Sequence, residues 1–456
     1  MNEHQLGTEK VGKLIAKFAI PSVVSMLVNA LYNIVDQIFI GRGVGYLGNG
    51  AANVVLLITT ITLALSLLLG DGAAAYFSLR LGEGKREDAA RAVGNSFSVV
   101  LVGSIVTTIV VLLCLTPIVR LLGATDVILP YALDYGRIVS LGLPFIMVST
   151  TLNSVIRADG SPRWAMASMA VGAIINGCLD PIFIFGFGWG IKGAAWSTVI
   201  GQLVSFVISI CYLWRFQSVR LTRTCFRLRG STLWDICRLG TTSFIGQGAF
   251  VLVMAVNNNL LVHYGAQSVY GSEIPLTAYG ISMKVQEILY TVVLGIAIGM
   301  QPVVGYNYGA KKYRRVRHAY ALAVLAGTIV SAAALVMFEC VPEAIVHLFG
   351  LPDNPLYLEF SVRFFRIYFC LYLFFGFLTI TGVFSQAIGK AGQAAVLSLS
   401  YQLVCKIGFA LVLCTQMGLD GVLWSGPFAD GIVFAVAGFM VCRQIRQIRA
   451  PERKQP

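Results

Sequence analysis

The chain has 456 residues, of which 57% are hydrophobic and only 12% charged, and its mean hydropathy is +0.77. Soluble domains carry roughly 25% charged residues, so a water-soluble fold is excluded and the recurring apolar runs describe a polytopic helical membrane protein. The net charge of +13 comes from basic residues lying between those runs rather than interleaved with aromatic ones. Membrane orientation, not nucleic-acid binding, accounts for it.

The first apolar run, residues 14–40, is too long for a cleavable leader and is read as the first transmembrane helix. Pro21 lies near its start and removes one backbone hydrogen bond, which favours a kink. Asn29, Tyr32, Asn33 and Asp36 follow at i, i+3, i+4 and i+7, so they share one helical face. A carboxylate at this depth costs on the order of 3 kcal/mol, and such residues usually face a cavity or a partner. A polar packing seam is the alternative.

Further spans are expected at 50–80, which holds Asp71 between two glycines, and at 92–122, 130–157 and 164–188. The fifth carries Asn176 and Asp180, four apart on one face, followed by Pro181, which favours another kink. Span 191–215 contributes Thr198. Two carboxylates, an amide and a hydroxyl suit a hard cation such as Na⁺. Two close carboxylates would equally share a proton. A helix-end cap is the bland reading of Asp180.

A polar connection at 216–238 divides the chain. Spans 239–264, 275–307, 316–341, 355–387, 392–416 and 420–442 follow, and a basic tail occupies 443–456. Asn257 lies in the first of these. Gln301-Pro302 and the glycines after it read as a helix break and hinge near the membrane surface. Lys284 and Glu287 are three apart and could pair. Lys406 and Asp430 could meet between the last two helices.

Internal matches support two halves. Gly190-Ile-Lys-Gly193-Ala-Ala-Trp196-Ser197 recurs as Gly418-Leu-Asp-Gly421-Val-Leu-Trp424-Ser425, and Asn29 recurs as Asn257. The expectation is an all-α fold of twelve transmembrane helices in two six-helix lobes, 1–215 and 239–442, related by a pseudo-two-fold axis. A central cleft would lie between them, with Asn29 and Asn257 facing each other across it. Of the 34 Lys and Arg residues, 26 fall on one side of the membrane and three on the other. That places both termini in the cytoplasm. The ten cysteines form no CxxC pair and the four histidines have no ligand spacing, so neither a transition-metal site nor a cofactor is expected.

The set Pro21, Asn29, Tyr32, Asp36, Asn176-x-x-x-Asp180-Pro181, Arg157-Ala-Asp-Gly160, Gln301-Pro302…Gly-Tyr-Asn-Tyr-Gly309 and Gln386-Ala-Ile-Gly389 resembles the multidrug and toxic compound extrusion (MATE) transporters. The acidic helix 1 with Asn and Asp in helix 5 is similar to the DinF-like branch. The resemblance implies a plasma (inner) membrane antiporter, expected to be a monomer, that exports cationic amphipathic compounds by alternating access against inward Na⁺ or H⁺. It implies an ion site at Asp36, Asn176, Asp180 and Thr198 with Tyr32 beside it, and cavity positions at Met26, Asn29 and Asn153, to which Asn33 and Asn257 are added from their placement. Glu287 is the nearest match to the C-lobe acid of other branches. A flippase for a lipid-linked precursor would prefer a cationic cavity. A membrane-embedded enzyme would need a nucleophile and base cluster that the sequence does not display.

Overall fold

The computed structural model describes residues 3–44, 46–122, 126, 128–348 and 355–452. Eleven helices among them are long and apolar enough to cross a membrane, and a bent pair makes a twelfth. They are α1 (Val11–Gly43), α2 (Tyr46–Gly82), α3 (Arg86–Leu113), α4 (Leu129–Ala158), α5 (Pro162–Pro181), α6 (Ile191–Cys211), α7 (Gly230–Gly265), α8 (Glu273–Gly309) and α9 (Tyr313–Cys340). The tenth span, α10, combines Pro355–Tyr368 with Phe375–Ala387, and α11 runs from Ala391 to Met417. The last, α12, covers Asp420–Glu452, so the expected tail begins as a continuation of the helix, while Arg453 and Lys454 lie outside the described residues.

The helix pairs of the first six spans recur in the second six. α1 packs on α5, α2 on α4 and α5 on α6; α7 packs on α11, α8 on α10 and α11 on α12. Between lobes, α1 meets α8 and α2 meets α7, the exchange that a two-fold axis demands. Lipid does not drive helices together, so close association depends on small residues that let backbones approach. The interlobe contacts follow that rule. A Cβ at Gly240 of α7 would sit 1.8 Å from the Leu68 carbonyl oxygen of α2. One at Gly309 of α8 would sit 2.2 Å from the Leu79 oxygen, and one at Gly299 would meet Ala19 of α1. These approaches lie in the halves of the helices nearest the basic connections. The outward face of α3 carries Val102, Ile105, Val106, Ile109 and Leu113, all exposed, as a lipid-facing stripe at helical spacing.

Four features depart from the sequence expectations. First, α8 runs unbroken through Gln301-Pro302. Its glycines seat against α1 and α2, and that packing holds its course across one missing hydrogen bond. Second, α10 is bent by 51° between Tyr368 and Tyr372, in an aromatic stretch with no proline. Third, α5 passes after Asp180 into a π-helical turn, Ile182–Gly186, and α11 contains a longer one, Ser400–Ile407.

Fourth, the 216–238 connection is not a free tether. α7 already begins at Gly230, and Ile236 and Leu239 join a core built from α2, α3 and α4. Asn95 of α3 donates to the carbonyls of Cys225 and Arg227 and accepts from the Arg229 amide. Asp159 accepts from the Tyr212 hydroxyl at 2.6 Å and from the Gln217 and Ser218 amides at 2.9 and 3.0 Å. The start of α1 mirrors this arrangement: Val11, Leu14, Ile15 and Phe18 are buried in a core formed with α8, α9 and α10.

Candidate functional site

Helices α1, α4, α5 and α6 converge on Asp36 and Asp180. Asp36 is 9% exposed and Asp180 fully buried. Their carboxyl groups lie side by side, close enough to interact directly. The Ser197 hydroxyl of α6 also donates to Asp180. One step along α6, Thr198 accepts a hydrogen bond from the Asn176 amide at 3.3 Å and donates to the Ala194 carbonyl at 2.9 Å. Tyr135 of α4 sits beside Thr198 and close to Asp36 and Tyr32. Tyr32 lies near both carboxyl groups.

The site is assembled by a close crossing. Gly172 of α5 and Gly201 of α6 pack so tightly that a Cβ on either would come within 2.6 Å of the other's carbonyl oxygen. The Asn176 Cβ lies 3.0 Å from the Cβ position of Gly201. Small residues at that crossing set the distance between the two helices and therefore between Asn176 and Thr198.

Three oxygens in this cluster lack any protein donor: Oδ1 of Asp36, Oδ1 of Asn176 and Oδ2 of Asp180. A buried acceptor with no donor costs ~1–3 kcal/mol, more if charged. Two carboxylates in contact cannot both stay ionised in an apolar setting without a cation between or beside them. No Lys or Arg forms an ion pair with either carboxylate among the described residues. The cluster is therefore complete only with a shared proton or a small hard cation, and its all-oxygen donors fit Na⁺.

The structure brings together Tyr32, Asp36, Asn176, Asp180 and Thr198. Tyr135 and Ser197 also belong to the cluster and were not expected. Ser197 carried a signal, since it closes the repeated Gly-x-x-Gly…Trp-Ser element. Tyr135 carried none, because it sits among Asp134 and Arg137 near the membrane surface.

The expected cavity positions divide. Asn29 and Asn33 are exposed and bonded to each other, with Asn33 donating to the Asn29 side chain at 3.1 Å, and Met26 is half-buried. Asn257 instead is 1% exposed and donates to the Tyr279 hydroxyl of α8 at 3.3 Å, so it serves an intralobe bond and does not face Asn29 across an open cleft. Asn153 is also buried and accepts from Ser209 of α6. Each of these amides bonds a neighbour within its own lobe, although the Asn257 Oδ1 is left without a donor. Gln301 is buried at the lobe boundary with its Nε2 unpartnered. Lys284 and Glu287 are both exposed, with no ion pair joining them.

Two other charged positions are resolved. Asp71 of α2 accepts from Ser154 of α4 at 3.0 Å and from Ser243 of α7 at 2.8 Å. Gln386 of α10 extends this network by donating to the Leu239 carbonyl and to Ser243. Lys406 and Asp430 both reach Tyr401 in the C lobe.

The MatE family model matches residues 21–182 and 249–412, most of both lobes. The multidrug export protein MepA of Staphylococcus aureus (strain MSSA476) is 26% identical over 441 residues, covering 96% of this chain and 94% of its own length. MepA of Staphylococcus haemolyticus (strain JCSC1435) is 26% identical over 436 residues, covering 94% and 93%. A MOP superfamily transporter from Pyrococcus furiosus has the same fold, with a TM-score of 0.91 at 23% identity over 98% of this chain and 99% of that one. A multidrug resistance MATE family transporter in an outward-facing conformation superposes with the same TM-score, identity and coverage. Two six-helix lobes, the helix 1 and helix 5 acids and these matches lead to one assignment: the chain belongs to the MatE family of membrane transporters.

Proposed function

We propose that this transporter is a cation-coupled antiporter of the plasma membrane that exports cationic amphipathic compounds by alternating access. The carrying observation is the Asp36–Asp180 contact with its three donor-less oxygens. A proton or Na⁺ entering it supplies the missing charge, and Tyr32 and Tyr135 line the approach. The relatives' role, multidrug export, supports the substrate class. So does the acidic and amide-rich N lobe, which suits cations better than the anionic headgroup of a lipid-linked precursor.

The lobes touch in their basic halves, whereas Asn29 and Asn33, further along α1, are exposed. With the basic ends in the cytoplasm, this state opens outward. Ion binding in the α1–α5–α6 cluster shifts the equilibrium between states only by its differential affinity for them. The contact with α1 provides that difference, because α1 is also the helix that meets α8 of the opposite lobe.

Dye efflux from proteoliposomes under separately imposed Na⁺ and pH gradients tests the reading. Efflux is expected to follow one of the two gradients and to be lost in Asp36→Asn, with folded protein retained. Gradient-driven efflux at the wild-type rate by Asp36→Asn would overturn it.

A further inference from the structure

We propose that the C lobe carries a cation of its own. The Lys406 ammonium fills an aromatic and acidic pocket on α10, α11 and α12, and its removal turns that pocket into a site for a small monovalent cation.

Lys406 is 8% exposed and Asp430 5%, so both charges lie inside the lobe. They are joined through Tyr401. Its hydroxyl donates to Asp430 at 2.7 Å, and its ring centroid lies 4.8 Å from the Lys406 nitrogen. The ring of Tyr368 presents a second face at 5.8 Å. The ammonium has no hydrogen-bond acceptor among the described residues, so aromatic faces hold it, the recognition mode used for ammonium ions in general.

The backbone is shaped for this contact. Tyr401 and Lys406 are five residues apart. In an α-helix that spacing leaves side chains about 140° apart around the axis. The stretch Ser400–Ile407 is π-helical, and its wider turn brings residues five apart onto one face. π-helical turns of this kind concentrate at functional sites.

The comparison with the N lobe gives the pocket its meaning. There the polar cluster uses the fifth and sixth helices through Asp180 and Ser197, and it has unpartnered oxygens and no resident cation. In the C lobe the fifth and sixth helices supply Lys406 and Asp430, and the positive charge is covalently attached. The C-lobe acid is thus already neutralised, and a solution cation has no vacancy to enter. Ion coupling falls to the N lobe alone. This last step rests on the reading of the N-lobe site given above, whereas occupancy of the C-lobe pocket does not.

The test is therefore made in an Asp36→Asn background, where the N-lobe site is disabled. Thermal midpoints of the purified transporter are measured in methylammonium, Na⁺ and K⁺ against N-methylglucamine at constant ionic strength. With Lys406→Ala added, the midpoint is expected to rise saturably, by about 1.5 °C at tenfold excess over half-saturation. Neither Asp36→Asn alone nor the triple variant with Asp430→Asn should respond. The absence of a saturable rise, or its persistence without Asp430, overturns the proposal. Should Lys406→Ala not fold, yields decide. Removing one member of a buried charge pair lowers folded yield by roughly tenfold or more, so Lys406→Met and Asp430→Asn should each fail singly. The neutral pair Lys406→Met/Asp430→Asn should recover wild-type yield. A pair no better than its single members overturns the proposal.

Discussion

Asp71 of α2 and Ser243 of α7 are hydrogen-bonded at 2.8 Å across the boundary between the lobes. The bond joins the lobes near their basic ends with a carboxylate that Ser154 also holds from within the N lobe. A bond to a charged acceptor contributes ~1.5–3 kcal/mol. Ser243→Ala should therefore favour separation of the lobes at this end. A cysteine replacing the buried Ser78, in an otherwise cysteine-free chain, would report it. Its maleimide labelling is expected to accelerate roughly tenfold or more when Ser243→Ala is added. An unchanged rate would show that the bond is not part of the closure.

Ser197 and Tyr135 support the Asp36–Asp180 pair without carrying its charge. Ser197→Ala removes one donor to Asp180, and Tyr135→Phe removes the hydroxyl beside Thr198. Each should weaken the half-saturating ion concentration for efflux by about tenfold while leaving the maximal rate within a factor of about two. Titration of efflux against the coupling ion in proteoliposomes separates these quantities. A loss of maximal rate with unchanged ion affinity would contradict the assignment.

Gly201 sets the spacing of α5 and α6. A methyl group there would lie 2.6 Å from the Gly172 oxygen and 3.0 Å from the Asn176 Cβ. Gly201→Ala is expected to push the helices apart, lower stability by ~1–3 kcal/mol and lengthen the Asn176–Thr198 contact. Gly177→Ala is the control, since open space surrounds that position and little change in melting or ion dependence is expected. Equal effects at both positions would rule out the spacing argument.

Asp159 fastens the mid-chain connection by three accepted hydrogen bonds. Asp159→Ala strands two backbone amides and leaves the Tyr212 hydroxyl with Ser161 alone, at a cost of ~2–4 kcal/mol. Limited proteolysis should then cut within 216–229 at lower protease concentration than in the wild type. Unaltered protection would mean that Asn95 holds the segment by itself.

The proposed orientation, with the basic ends cytoplasmic, rests on charge and is open to a direct check. Single cysteines at the exposed positions 223 and 314 should be labelled by an impermeant reagent only in inside-out vesicles. Labelling at either position in intact cells would reverse the orientation.

Much of the fold was legible because apolar length and basic connections are strong, local signals. The i, i+4 pair Asn176 and Asp180, and Asp36 a helix away, were equally readable, since carboxylates in lipid are too costly to be incidental. What the sequence hid was set by tertiary contact. The bend of α10 has no proline to announce it. The π-turn of α11 is visible only once Tyr401 and Lys406 meet. Asn153 and Asn257 have the composition of cavity residues, yet each bonds a neighbour inside its own lobe. The break expected at Pro302 failed for the converse reason, since glycine packing along α8 outweighed one absent hydrogen bond.

The roots of α1 and α7 are exchanged. Val11 to Phe18 are embedded among α8, α9 and α10, and Ile236 and Leu239 among α2, α3 and α4. Each lobe thus lends the other the anchor of its first helix, in the manner of two clasped hands. Neither half is a self-sufficient folding unit: a fragment ending at 215 would leave the apolar start of α1 without its seat, and the complementary fragment would do the same for α7. Co-expressed halves should assemble where either one alone is degraded. Any motion that parts the lobes at this end must also work these two anchors loose, so α1 and α7 would swing as crossed levers.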